Sequence, residues 1–144
     1  MAKKKKYFRI LTEEEQKERA EIMREGCEIF GGEGGEDYVS YQGMTAETAR
    51  KLIDERFANP DDAQNEAPTF EEMTEFCEKH PQFRLLGYVI GGDREDARVT
   101  AEGVSGLTTS METLTDFLKL FRWADELTVD FVEPNTVDCY CWFD

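Results

Sequence analysis

Glu126-Leu-Thr-Val-Asp-Phe-Val132, followed by Glu133-Pro134-Asn135 and then Thr136-Val-Asp-Cys-Tyr-Cys-Trp-Phe143, is the stretch that decides how this chain folds. Two runs rich in β-branched and aromatic residues flank a short turn sequence with Pro and Asn, which is the pattern of a β-hairpin. Successive strand side chains point to opposite faces. Val137, Cys139, Cys141 and Phe143 therefore share one side of the second run, and Thr136, Asp138, Tyr140 and Trp142 the other. On the first run Leu127, Val129 and Phe131 match the apolar set, while Thr128, Asp130 and Val132 match the mixed one. One face of this hairpin needs a helix against it.

That helix lies just upstream. Ser110 is a suitable N-cap, and Met111, Leu114, Phe117, Leu118 and Phe121 fall at helical spacing over 111–124. Before it, Phe83 to Ile90 and Arg98 to Val104 read as two strands joined through Gly91-Gly92-Asp93. The half of the chain from 83 to 144 is thus ββαββ.

The N-terminal half is read as helical. Thr12 with Glu15 makes a capping box, opening a helix that runs to about Phe30, where Gly31 and Gly32 stop it. A Gly/Glu-rich loop over 31–37 follows, then a short strand from Asp37 to Tyr41. Thr45 caps a helix over 46–58 that buries Ala49, Leu52, Ile53 and Phe57, and Asn59-Pro60 ends it. Residues 59–68 have the composition of a linker. Thr69 with Glu72 is a second capping box, and its helix over 70–80 carries the apolar stripe Phe70, Met73, Phe76 and Cys77 up to His80-Pro81. The expected class is α+β, with N-terminal helices followed by a ββαββ half whose antiparallel sheet packs on helices. The expected organisation is a basic arm over 1–11 and a single α+β domain over 12–144, its helical part at 12–80.

A chain of 144 residues that is 40% hydrophobic and 12% aromatic has enough apolar material for a core without disulfide staples. No apolar run approaches the ~20 residues a membrane span needs, and the N-terminus lacks the apolar region of a secretory signal. The four cysteines do not form a disulfide framework, which points to a cytoplasmic setting.

Charge is the largest anomaly. The net value is −15, yet Lys3 to Lys6 and Arg9 make the first eleven residues basic. The remainder repels nucleic acid and anionic membrane over a Debye length of roughly 8–10 Å. Direct nucleic-acid binding by the folded part and a membrane role are therefore not expected; the basic arm is either solvated or a contact for phosphate.

Within that charge there is order. Glu14, Glu18, Glu21, Glu25 and Glu28 recur at intervals of four and three, which puts them on one helical face over about 21 Å. Ala20, Met23, Cys27 and Phe30 would form the opposite, buried face. Ile22 and Ile29 sit beside the stripe, either under a loop or as apolar anchors in a charged contact surface. The stripe is either a solvated face or a row offered to a basic partner, since carboxylates ~5 Å apart approximate the charge density of a nucleic-acid strand. A second candidate contact is the mixed hairpin face, where Tyr140 and Trp142 lie among Asp130 and Asp138; either the N-terminal helices cover it or a protein partner does.

Candidate chemistry is thin. His80 is the sole histidine and stands at a helix C-terminus, where an imidazolium meets the dipole favourably. Cys77, His80, Cys139 and Cys141 together would be a permissible Cys3His zinc set, though their spacing fits no finger or ribbon. Asp93, Glu95 and Asp96 crowd the first hairpin turn without the ordered loop of a calcium site. Gly31-Gly-Glu-Gly-Gly35 follows a helix and carries acid, so it is a poor phosphate cradle. No nucleophile or nucleotide motif is present, and no cofactor is implied.

The expectation is a non-enzymatic acidic interaction module. In one form it engages a basic protein by charge mimicry, as an inhibitor of a nucleic-acid-binding protein would; in the alternative it is a small regulatory or scaffold domain recognising a protein through its aromatic sheet face. A carboxylate- or metal-dependent enzyme is the remaining class.

Overall fold

The computed structural model describes residues 6–30 and 39–144. The first lysines of the basic arm, the Gly/Glu-rich loop and the start of the strand expected from Asp37 lie outside them. The elements in order are α1 (Glu13–Gly26), β1 (Glu28–Phe30), β2 (Val39–Met44), α2 (Ala46–Asp54), α3 (Phe70–Lys79), β3 (Phe83–Ile90), β4 (Arg98–Val99), β5 (Gly103–Thr108), α4 (Met111–Phe121), β6 (Glu126–Glu133) and β7 (Thr136–Trp142).

Local chemistry sets the helix starts. Thr12 and Thr69 each accept from the backbone N–H three residues on, and Glu15 and Glu72 reach back to the cap N–H, so both capping boxes close. Thr45 and Ser110 cap α2 and α4 in the same way. The β6–β7 turn places Pro134 before Asn135, whose φ of 73° is the left-handed second position of a type II turn.

The strands form one antiparallel sheet in the order β1-β2-β3-β5-β7-β6, with β4 pairing to the end of β3. The core lies on one side of it. Val39, Tyr41, Leu85, Val89, Val99, Val104, Val137, Cys139 and Cys141 from the strands meet Met23, Leu52, Met73 and Phe117 from the four helices. At its centre Phe76 stands edge-on to Phe83 and Phe121, with ring centroids 5.1 and 5.2 Å apart.

Several boundaries differ from the sequence reading, each for a physical reason. α1 ends at Gly26, and Cys27 is already extended. A Cβ on Gly26 would lie 1.9 Å from Thr48 Oγ1, so the residue that ends the helix also lets α2 pack against it. Glu28, Ile29 and Phe30 consequently leave the helix and become β1, paired with β2. α2 stops at Asp54 because Arg56 takes a φ of 65° and folds Phe57 and Ala58 back onto the Leu52 carbonyl. The strand expected over Arg98–Val104 is two: Thr100 and Glu102 still donate to Tyr88 and Leu86, but regular pairing resumes only at Gly103 and runs on to Thr108.

The segment 59–68 is held on the body. Asp62 pairs with Arg98 at 3.0 Å, its carbonyl caps the start of α3, and Ala67 is buried. Residues 6–11 are likewise docked: Leu11 is buried and donates to the Gly92 carbonyl, while Arg9 pairs with Glu15 and bonds the Arg56 carbonyl. The apolar hairpin face expected under the 111–124 helix is covered along β7 only. On β6, Val129 is half-buried, but Leu127 is exposed and Phe131 is 72% exposed. Among the described residues no helix is long and apolar enough to cross a membrane.

Candidate functional site

Because every helix packs on one side of the sheet, its other side is open among the described residues. The alternation of each strand decides what appears there. From β1 come Glu28 and Phe30, from β3 Arg84, Leu86 and Tyr88, and from β5 Ser105 and Leu107. The end hairpin contributes Glu126, Thr128 and Asp130 from β6, and Asp138, Tyr140 and Trp142 from β7. The helices do not cover Tyr140 and Trp142, which remain half-buried beside exposed acids.

The register makes this face electrostatically uneven. Asp130 stands directly across the ladder from Asp138, and both are exposed. Like charges in direct opposition destabilise a strand pair, so this arrangement has a cost that a cation on the face would relieve. Glu126 is directly across from Trp142, and its Oε2 accepts from the Tyr140 hydroxyl at 3.3 Å. Burial, and then the neighbouring Glu126 carboxylate, push the Tyr140 phenol above its ordinary pKa. Trp142 Nε1 donates to Asp144 at 2.6 Å, and the Asp144 N–H donates to Asp125, so the indole is held in place from the C-terminal end.

Between these residues the surface dips into a recess of about 310 Å³ lined by Phe30, Leu86, Tyr88, Glu126, Tyr140 and Trp142. Beside Leu86 the close strand packing requires glycine at position 103. A Cβ there would sit 1.9 Å from the Cys141 carbonyl oxygen and 3.1 Å from Leu86 Cδ1. Tyr88 and Trp142, both in its lining, meet edge to face with centroids 5.5 Å apart.

The acidic stripe is shorter than its spacing suggests. Glu14, Glu21 and Glu25 are exposed along α1 and Glu18 is partly so, whereas Glu28 belongs to the sheet face. Ile22 and Ile29 are half-buried and pack on the core, Ile29 from β1 and no longer from the helix. Glu18, Glu21, Ile22 and Glu25 instead line a groove against Lys51, Asp54 and Glu55 of the α2 end. Nor is the buried face of α1 the expected one: Met23 is buried, Ala20 and Cys27 only half so, and Arg19 is fully enclosed.

The Cys3His set does not converge. Cys77, Cys139 and Cys141 are buried on the core side, but both ring nitrogens of His80 are committed elsewhere, Nε2 to Asp116 at 3.0 Å and Nδ1 to Thr113 at 3.2 Å. The imidazole thus ties α3 to α4. Lys79 and then His80, as hydrogen-bond donors, hold the Asp116 carboxyl below its usual pKa. Thr113, His80 and Asp116 are connected in the order of a nucleophile, base and carboxylate, but the Thr113 hydroxyl is buried in the first turn of α4, out of reach of a substrate. Burial pushes the Cys77 and Cys141 thiols up to about 12. Among the described residues no group of three or more His, Cys, Asp or Glu side chains is placed to hold a metal ion.

Sequence reasoning found Asp130, Asp138, Tyr140 and Trp142 and missed Phe30, Leu86, Tyr88 and Glu126. The alternation Arg84, Leu86, Tyr88 was a usable signal for β3; Phe30 was hidden by the helical reading of residues 27–30. Neither a protein-family model, nor a curated protein, nor a solved structure matches this chain.

Proposed function

We propose that this chain is a non-enzymatic protein-interaction module that receives a basic protein surface on the open face of its sheet. The observation that carries the reading is the directly opposed, exposed Asp130–Asp138 pair beside half-buried Tyr140 and Trp142. Acids in unfavourable opposition next to interface-type aromatics are explained by a cationic partner and by nothing in the packing. The net charge of −15 steers such a partner and repels nucleic acid. Four unpaired cysteines suit a cytoplasmic encounter.

A second reading keeps charge mimicry on α1, with the chain blocking a nucleic-acid-binding protein. The exposed Glu14, Glu21 and Glu25 favour it. The departure of Glu28 and Ile29 from the helix weakens it, because the stripe loses its last carboxylate and one of its two flanking isoleucines.

Two sets of reversals separate the readings. A partner is captured on the immobilised chain at low salt and identified, then titrated against the Asp130→Lys, Asp138→Lys double variant and the Glu18→Lys, Glu21→Lys, Glu25→Lys triple variant. The sheet reading expects binding to be lost in the double variant and kept in the triple. The opposite pattern would move the function to α1.

A further inference from the structure

The charged face contains one feature that charge alone does not explain. The recess between Phe30, Tyr88, Tyr140 and Trp142 is walled by aromatic rings, yet its rim holds the Glu126 carboxylate. Such a mixture suits neither an apolar anchor, for which a carboxylate is a poor neighbour, nor an anion, which ring faces repel. It suits a cation with a flat, weakly hydrated surface.

We propose that this recess takes the side chain of a single arginine of the partner, its guanidinium lying against the Tyr88 and Trp142 rings and its N–H edge bonded to Glu126. This rests on the sheet-face reading above. A guanidinium is planar, stacks on aromatic faces and is stripped of water more easily than an ammonium. Its fork of donors then reaches the carboxylate while the plane stays against the rings. Glu126 is already positioned for this. The Tyr140 hydroxyl donates to its Oε2, which fixes the carboxylate at the mouth of the recess opposite Trp142.

The surrounding structure supports the same occupant. Asp144 anchors the indole nitrogen of Trp142, so the ring is preorganised and does not have to be ordered on binding. Gln42 and Ser40 line the far edge and offer polar contacts to the peptide backbone carrying the arginine. About 310 Å³ holds one long side chain and excludes a folded element, so the occupant arrives on an extended or loop segment.

The test uses the full chain labelled with 15N and three peptides, acetyl-Gly-Arg-Gly-amide and its lysine and citrulline counterparts. With the arginine peptide, saturable shifts are expected at the Trp142 indole N–H and the amides of Tyr88, Glu126 and Tyr140. Citrulline, which keeps the shape and loses the charge, is expected to bind at least about tenfold more weakly. Glu126→Gln and Trp142→Leu should each weaken the arginine peptide about tenfold, with the dispersion of the spectrum showing that the fold is kept. Equal binding of arginine and citrulline, equal binding of arginine and lysine, or shifts spread evenly over Glu14, Glu21 and Glu25 would each overturn the assignment. A partner lost from the Asp130→Lys, Asp138→Lys variant but held fully by Glu126→Gln and Trp142→Leu would refute the recess and leave the sheet-face reading standing.

Discussion

Replacing Arg19 with methionine should make the fold more stable, although it removes a buried hydrogen bond. Arg19 is fully enclosed under α1, where Nη1 donates to the Ile90 carbonyl at 2.9 Å while Nε and Nη2 have no hydrogen-bond partner among the described residues. Burial, with a smaller contribution from the like charge of Arg9, lowers its pKa from 12.5 to about 10. At about 1.4 kcal/mol per pH unit, that interval means the folded state holds the charged guanidinium at a penalty of roughly 3 kcal/mol at neutral pH. Methionine has similar reach and no charge, but it leaves the Ile90 carbonyl unpaired, which costs about 1–3 kcal/mol. The balance is a gain of about 1 kcal/mol, or a rise in Tm of about 3 °C for a chain of this size. The sign is checked by pH. A basic group with a depressed folded pKa destabilises while it is charged in both states, and the penalty fades as pH rises from about 10 towards 12.5. Urea unfolding of the two proteins at pH 7 and pH 10.5 should therefore show the advantage of Arg19→Met shrinking at the higher pH. A variant less stable than the parent by more than about 2 kcal/mol, with a gap that does not move with pH, would refute the reasoning and show that the guanidinium is well satisfied in solution.

Three further outcomes follow from the packing. Burial raises the thiols of Cys27, Cys77 and Cys141 to about 12 and Cys139 to about 11, so Ellman's reagent at pH 8 should find almost no reactive cysteine until urea unfolds the chain. Gly26→Ala should destabilise by about 1–3 kcal/mol, because its Cβ would overlap Thr48; Thr48→Ala in the same chain should return part of the loss, which a double-mutant cycle in urea measures. Burial raises the Glu102 carboxyl despite the bond it accepts from Thr100, so its contribution to stability improves as pH falls through its folded pKa. Glu102→Gln should accordingly be more stable than the parent at neutral pH, with the gap closing as pH falls through the folded pKa of Glu102, which urea unfolding at several pH values measures.

The parts of the fold that were legible in sequence are those whose signal is local. Thr12 with Glu15 and Thr69 with Glu72 are complete capping boxes within four residues, and both helices begin where those pairs lie. The β6–β7 hairpin is written in alternation and in a Pro-Asn turn, but its register also depends on a one-residue shift between Phe131 and Glu133. Helix ends were less legible because they depend on what the helix meets. Gly26 stops α1 at its crossing with Thr48, and Arg56 ends α2 by turning Phe57 into the core; neither contact is visible in a run of residues. β1 was lost for the same reason. Cys27 and Phe30 continue a helical spacing by coincidence, and only pairing with β2 distinguishes strand from helix there.

The candidate site divides along the same line. Asp138, Tyr140 and Trp142 share a face of β7 by alternation alone, and the register shift beside the turn brings Asp130 of β6 opposite Asp138. The recess needs more, since Phe30, Tyr88 and Glu126 come from β1, β3 and β6, and the order β1-β2-β3-β5-β7-β6 brings them to Trp142 across strands far apart in the chain. Strand order is a property of the whole sheet, and no spacing in the sequence encodes it. The charge argument shifts accordingly. A periodic row of glutamates is conspicuous because a helix makes it so, yet Glu14, Glu21 and Glu25 are exposed there and a solvated helix face explains them. Asp130 against Asp138 is inconspicuous in sequence, but the ladder forces the two together at a cost, and Glu126 is held beside aromatic rings by Tyr140. Charge held where the fold would be more stable without it is the better pointer to a partner. On that ground the proposed cationic partner is assigned to the sheet face and not to the more acidic helix.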